Sequence, residues 1–284
     1  RKIRSLFLPS TGDLPFTFKT FYGLSMNPFA KGALPTKDAF QSNDLKALLN
    51  RLRYLVNVRG VGVFTASPGM GKSYGIRCFR KGLNENLYKV VYLCLTTISV
   101  AEFYRQICDS LGLDVRGGKT VMFKAIQEQI YYLYKEKRQP LVLILDEAQY
   151  LSPGILRDLK MLMNFEYDSL NCFTLILSAE PYFNKTLEKP VNEALRQRIV
   201  VHYNFTGLNP DELNAYVIHR IKFAGGSESI IGADALTALN GYCGGNARTV
   251  DNVMSIALTL GAQLDHQTID AEIIMAAINE ITLD

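Results

Sequence analysis

The sequence predicts an α/β fold in which helices sandwich a parallel sheet, followed by a small all-α domain. Three observations carry this. Short apolar runs alternate with stretches of helical periodicity between residues 61 and 208, and strands separated by helices pair in parallel with both faces covered. A glycine-rich turn, Ala66-Ser67-Pro68-Gly69-Met70-Gly71-Lys72-Ser73, joins the first apolar run to the helix after it. After Leu208-Asn209-Pro210 the strand-like runs stop, and the rest reads as helices.

Each element has its own signal. Residues 1–20 differ from the rest of the chain: Arg1-Lys2-Ile3-Arg4 is basic and Pro9-Ser10-Thr11-Gly12-Asp13 is turn-rich, so they read as an extension of open origin. Ser42 or Asn43 caps a helix with Leu45, Leu48, Leu49, Leu52 and Leu55 at helical spacing. Val61–Thr65 is a short apolar strand, and Gly71 opens a helix to about Leu83. Tyr88–Leu95 is a strand. Ser99 caps a helix with Phe103, Ile107 and Leu111 on one face, and Gly117-Gly118 separates it from a long helix over Lys119–Lys137. Pro140–Asp146 is a strand, and Ser152-Pro153 begins a helix through Met163, with proline in its first turn. Cys172–Ser178 and Ile199–Tyr203 complete the strands. Asp211–Phe223, Ala233–Asn240, Asn246–Leu260 and Asp270–Ile281 are helices punctuated by glycines. The expected organisation is an extension over 1–20, an α/β core over 21–208 and a helical lid over 209–284.

The composition narrows the function. A chain of 284 residues with 48% hydrophobic content builds a packed core and a satellite domain. Its 31 basic and 27 acidic residues give +4, a balance that permits nucleic acid as a partner without demanding it. No apolar run approaches a membrane span and nothing resembles a signal peptide, so no membrane partner is expected. Cys78, Cys94, Cys108, Cys172 and Cys243 are scattered without a C-x-x-C and are expected to be reduced core residues in a cytoplasm. His202, His219 and His266 have no ligand spacing, which argues against zinc.

Residues 66–73 have the form of a phosphate-binding loop. Gly69 and Gly71 let the backbone turn tightly and aim N–H groups at phosphates. Lys72 reaches the β- and γ-phosphates and the Ser73 hydroxyl ligates Mg²⁺. Ser67, Pro68, Met70 and Tyr74 complete the stretch around the nucleotide. Ala66 stands where the usual pattern has its first glycine, which fits if its φ is negative. Leu141-Val142-Leu143-Ile144-Leu145-Asp146-Glu147 is a buried strand ending in two carboxylates. Asp146 is expected to hold Mg²⁺ through water, and Glu147 to orient and polarise the attacking water. Together the two stretches predict binding and hydrolysis of a nucleoside triphosphate such as ATP.

With these residues the chain resembles the AAA+ ATPases of the ExeA-like group, close to the TnsC, TniB and MuB transposition regulators. Further stretches carry the resemblance: Phe21-Tyr22-Gly23-Leu24, Asn27-Pro28-Phe29, Ala148-Gln149, Leu162–Glu166, Ala194–Ile199 and Gly245-Asn246-Ala247-Arg248. It spans residues 21–281 and implies a P-loop NTPase fold of the AAA+ kind. It also implies roles. Arg248 is the lid arginine that stabilises charge on the γ-phosphate; the plain alternative is a surface arginine facing an unfavourable helix dipole. Arg196 or Arg198 reaches a neighbouring subunit's nucleotide, or pairs with Glu193 or another surface acid. Ser178 and Glu180 are the alternatives for the residue that senses the γ-phosphate from the fourth core strand. Asn27 and Phe29 border the adenine, or staple the first helix.

Two functions are implied by the resemblance. The first is an ATP-dependent ring or helical filament of this chain on duplex DNA that selects target sites and recruits a transposase. Arg116, Lys119, Thr120 and Lys124, around Gly117-Gly118, would then contact phosphates without reading sequence; the alternative is a solvated turn. The second is an ATPase switch acting on protein partners in secretion or signalling. Relatives of that kind look longer, with a membrane segment and an envelope-binding domain, and origin-recognition loaders carry a winged helix. The chain ends directly after the lid, so these are not expected here, and transposition is the first expectation.

Overall fold

The computed structural model describes residues 17–94 and 99–282. The basic start, the turn at 9–13 and Leu95 at the expected end of a strand lie outside the described residues. The elements, in chain order, are α1 (Phe18–Tyr22), α2 (Asn43–Val58), β1 (Val61–Thr65), α3 (Lys72–Gly82), β2 (Lys89–Cys94), α4 (Val100–Leu111), α5 (Lys119–Lys135), β3 (Leu141–Asp146), α6 (Pro153–Leu162), β4 (Thr174–Ala179), α7 (Phe183–Glu188), α8 (Glu193–Arg196), β5 (Ile199–Asn204), α9 (Pro210–Phe223), α10 (Ala233–Cys243), α11 (Ala247–Gln263) and α12 (Ala271–Ile281). They form a parallel five-stranded sheet with helices, followed by C-terminal helices.

The strand order is β2-β3-β4-β1-β5, every pair parallel. Alternate residues of the central strands face opposite sides, as the two-residue period of a strand requires. Leu141, Leu143 and Leu145 join a core with Phe103, Ile107, Ile126, Ile130 and Leu156 from α4, α5 and α6. Val142 and Ile144 join the other core, with Leu48, Leu52, Leu55, Ile76 and Phe79 from α2 and α3. Ser42 accepts the Leu45 N–H at 3.2 Å to start α2. Ser99 and Glu102 form a capping box at α4.

Among the described residues two compact units are present: one within Gln41–Leu208, and one formed by residues 17–40 together with residues 209–282. The second grouping differs from the expected boundary, because residues 21–40 pack on the C-terminal helices rather than belonging to the sheet unit. The Tyr22 hydroxyl donates to His266 O at 2.8 Å, and Ser25 N–H donates to Ala224 O at 2.8 Å. The buried Arg220 donates through Nε to Pro28 O at 2.6 Å. Residues 18–20, expected as part of an extension, are helical in α1. One composition-based expectation also needs correction: Cys94 is exposed and Cys78 is half-buried, so only Cys108, Cys172 and Cys243 are core thiols, and all five are free. Among the described residues no helix is long and apolar enough to cross a membrane.

Candidate nucleotide-binding site

The site lies at the carboxyl ends of the strands, where open α/β sheets bind ligands. β1 is buried throughout and runs into the loop at Ala66. Ala66 avoids the positive-φ region, so the missing glycine introduces no strain. Its N–H donates to Ala179 O at 3.1 Å, anchoring the loop to the end of β4. Gly69 and Gly71 both have φ +89°, a conformation that favours glycine. Gly71 is the N-cap of α3 and contributes no side-chain cap, which leaves the first N–H groups of the helix facing an anion site. Gly75 brings α3 close to α2: a Cβ there would sit 2.4 Å from Leu48 Cδ2.

Lys72 is the first residue of α3 and is only 8% exposed. Burial pulls its pKa down, while the carboxylates of Asp146, Glu147 and Glu180 oppose that shift. Asp146, at the end of β3, is 2% exposed. Its Oδ2 accepts from the Ser73 hydroxyl at 3.1 Å and the Tyr92 hydroxyl at 2.8 Å. Its Oδ1 accepts from the Ser178 hydroxyl and, at 3.1 Å, from the Glu147 N–H. Lys72 Nζ is 3.9 Å from the same Oδ1. Burial and the Asp146 hydrogen bond push the Tyr92 phenol up. The Ser73 hydroxyl and the Asp146 carboxylate are hard oxygen ligands of the type that suits Mg²⁺, which takes one or two protein ligands and fills its shell from phosphates and water. The residues present therefore fit a magnesium nucleotide.

The strand order explains why Ser178 is here. β4 lies between β1 and β3, with Phe64 opposite Ser178 and Leu145 opposite Leu177. A side chain near the end of β4 therefore falls between the phosphate loop and Asp146. Glu147 comes next after β3 with φ 57° and ψ 38°, a left-handed conformation uncommon for glutamate. Gln149 Nε2 donates to Glu147 Oε2 at 2.5 Å, and Gln149 Oε1 accepts the Glu180 N–H at 3.1 Å. Sequence reasoning assigned no role to Gln149 or Tyr92. Tyr92 gives no local signal, because only strand pairing brings β2 beside β3.

The remaining candidates are carried by other elements. Arg196 is at the end of α8, 3.9 Å from Glu193. Arg198 pairs with Asp168, and burial lowers its pKa. Arg248 is exposed at the second position of α11, in the other compact unit. Asn27 and Phe29 belong to that unit as well. Asn27 Oδ1 accepts the Phe29 N–H at 3.0 Å. Phe29 is 3% exposed, with the Arg220 guanidinium 5.5 Å from its ring centre, so the ring is a core group and offers no open face to a purine. Arg116 and Thr120 are exposed. Lys119 pairs with Asp158 at 2.6 Å and Lys124 with Glu128 at 3.7 Å.

Residues 43–187 match the family described as AAA domain, and the chain belongs to that family of nucleotide-binding domains. General secretion pathway protein A of Aeromonas hydrophila is 28% identical over 264 residues, covering 92% of this chain and 48% of the relative. The chain thus spans about half the length of that protein. In fold it is similar to Cdc6p from Pyrobaculum aerophilum, with a TM-score of 0.66 and 16% identity over 90% of this chain and 71% of the other. Drosophila ORC bound to DNA gives 0.69 and 15% identity over 98% and 70%. Likenesses at these identities concern the fold alone.

Proposed function

We propose that the chain binds ATP with Mg²⁺ at residues 66–74, hydrolyses it, and uses the change of nucleotide state to act on a protein partner. The observation that carries this is the convergence on Asp146 of Lys72, Ser73, Ser178 and the backbone of Glu147. In this reading Lys72 balances phosphate charge, while Ser73 and Asp146 hold the metal. When bound, Mg²⁺ neutralises charge on the phosphate oxygens. Glu147 accepts the proton of the attacking water, and Ser178 holds Asp146 in register. Arg248 and one of Arg196 and Arg198 supply cations for charge that builds up on the transferred phosphoryl group, the second from a neighbouring subunit in a homo-oligomer. A cytoplasmic location belongs to the same proposal.

A protein partner is placed first because the secretion-pathway relative matches nearly all of this chain. The transposition reading, with duplex DNA and a transposase as partners, is placed second. Two of its four DNA candidates, Lys119 and Lys124, already have carboxylate partners, so their charge is partly spent. Measuring ATP turnover with and without duplex DNA at low salt separates the two. The proposal predicts the same rate in both, and no change in Lys119→Ala/Lys124→Ala. DNA stimulation that the double substitution abolishes, and that falls steeply with salt, would put transposition first.

A further inference from the structure

We infer that Gln149 is a positioning residue for hydrolysis: it fixes the Glu147 carboxylate and ties it, through the end of β4, to the phosphate loop. The inference rests on the reading of Glu147 as the group that activates water.

The direction of the amide is set by its surroundings. The Glu180 N–H can only donate, so the oxygen of Gln149 must face it, at 3.1 Å. The nitrogen must then face Glu147, where it donates to Oε2 at 2.5 Å. Swapping oxygen and nitrogen would set donor against donor on one side and acceptor against acceptor on the other. Gln149 lies in the single turn Ala148–Tyr150 after β3. This turn places it two residues beyond Glu147 and beside the residue after β4.

Glu147 needs such a hold. Its backbone leaves the strand in the left-handed region, so the ladder of β3 no longer sets where its side chain goes. A glutamate has three rotatable side-chain bonds, and a carboxylate that must meet one water gains from losing that freedom beforehand. Gln149 holds one carboxylate oxygen and leaves Oε1 to face a water. The fixed end of the link is backbone: Glu180 comes directly after Ala179, whose carbonyl accepts the Ala66 N–H at the start of the phosphate loop. The placement of the base and the placement of the loop thus share one anchor.

The test compares Gln149→Met and Gln149→Glu, each alone and with Glu147→Gln. Methionine keeps length and loses both hydrogen bonds. Glutamate still accepts from the Glu180 N–H and, while ionised, replaces the donor to Glu147 with a second negative charge. Gln149→Met is expected to lower kcat by roughly tenfold to a hundredfold, the range set by one hydrogen bond to a charged group, with ATP affinity and KM unchanged, and Gln149→Glu to lower kcat by at least as much. In the Glu147→Gln background neither should add a further loss, because residues that act as a unit are not additive. A loss of equal size in both backgrounds, or weakened ATP binding in Gln149→Met, would mark Gln149 as structural and overturn the inference. Full activity of both Gln149 variants beside an inactive Glu147→Gln would overturn it while leaving the function of Glu147 intact. Wild-type turnover in Glu147→Gln would remove both.

Discussion

A carboxylate buried like Asp146 is stable only if its oxygens are bonded, and this one accepts from two hydroxyls on one oxygen and from a hydroxyl and an N–H on the other. Lys72 adds an ammonium at 3.9 Å that burial has itself made harder to charge. In the proposed site an arriving polyphosphate would offer Lys72 a stronger anion than Asp146, and Ser73 would hold the metal through its oxygen instead of donating its proton to the carboxylate. These exchanges belong to single side chains, and several were legible in the sequence. The phosphate loop and the acidic strand end are patterns within eight residues, so Lys72, Ser73, Asp146 and Glu147 could be read from spacing. Ser178 and Glu180 are alternatives that the family resemblance implies at a strand end, and spacing alone does not choose between them. Tyr92 could not, because its meeting with Asp146 depends on which strand neighbours which. Phe29 stays open between an adenine contact and a helix staple on sequence alone, because the Arg220 beside its ring lies 191 positions later.

At the scale of elements, the insertion of β4 between β1 and β3 decides what the site contains. The strand and helix alternation predicted a parallel sheet but not its order, which sequence periodicity does not encode. The long helices were placed to within about three residues, because caps at Ser42, Ser99, Ser152 and Asn209 mark their starts. α7 and α8, of six and four residues, are too short to show a helical period and were not anticipated. One tie between elements makes a prediction. Asp44, in the first turn of α2 and 5% exposed, accepts from the Tyr203 hydroxyl at 2.6 Å and from the N–H groups of Thr206 and Gly207 at 3.1 and 2.8 Å. Asp44→Ala would leave those donors without their acceptor as the chain leaves β5. The expected loss is about 2 kcal/mol or more of stability, read as a lower urea midpoint. A midpoint unchanged within error would mean that water replaces the carboxylate freely.

At the scale of the whole molecule, the chain provides a sheet unit that carries the phosphate loop and a helical unit that carries Arg248. A trans-acting arginine requires more than one copy. In the single chain Arg198 is held by Asp168 and Arg196 lies near Glu193, so either must leave a carboxylate to reach a neighbour's nucleotide. Mixing Lys72→Ala subunits with Arg198→Ala or Arg196→Ala subunits should restore part of the turnover, since some interfaces then contain an intact loop and an intact arginine. Absence of rescue in a mixture shown to co-assemble would assign these arginines to the ion pairs alone. The central claim is that one site binds ATP through Lys72 and hydrolyses it through Glu147. Its most direct test is a side-by-side measurement of ATP affinity and turnover in Lys72→Ala and Glu147→Gln. The account predicts at least about tenfold weaker binding in Lys72→Ala. It predicts near-normal binding with turnover reduced about a hundredfold in Glu147→Gln. Unchanged affinity in the first, or wild-type turnover in the second, would contradict it.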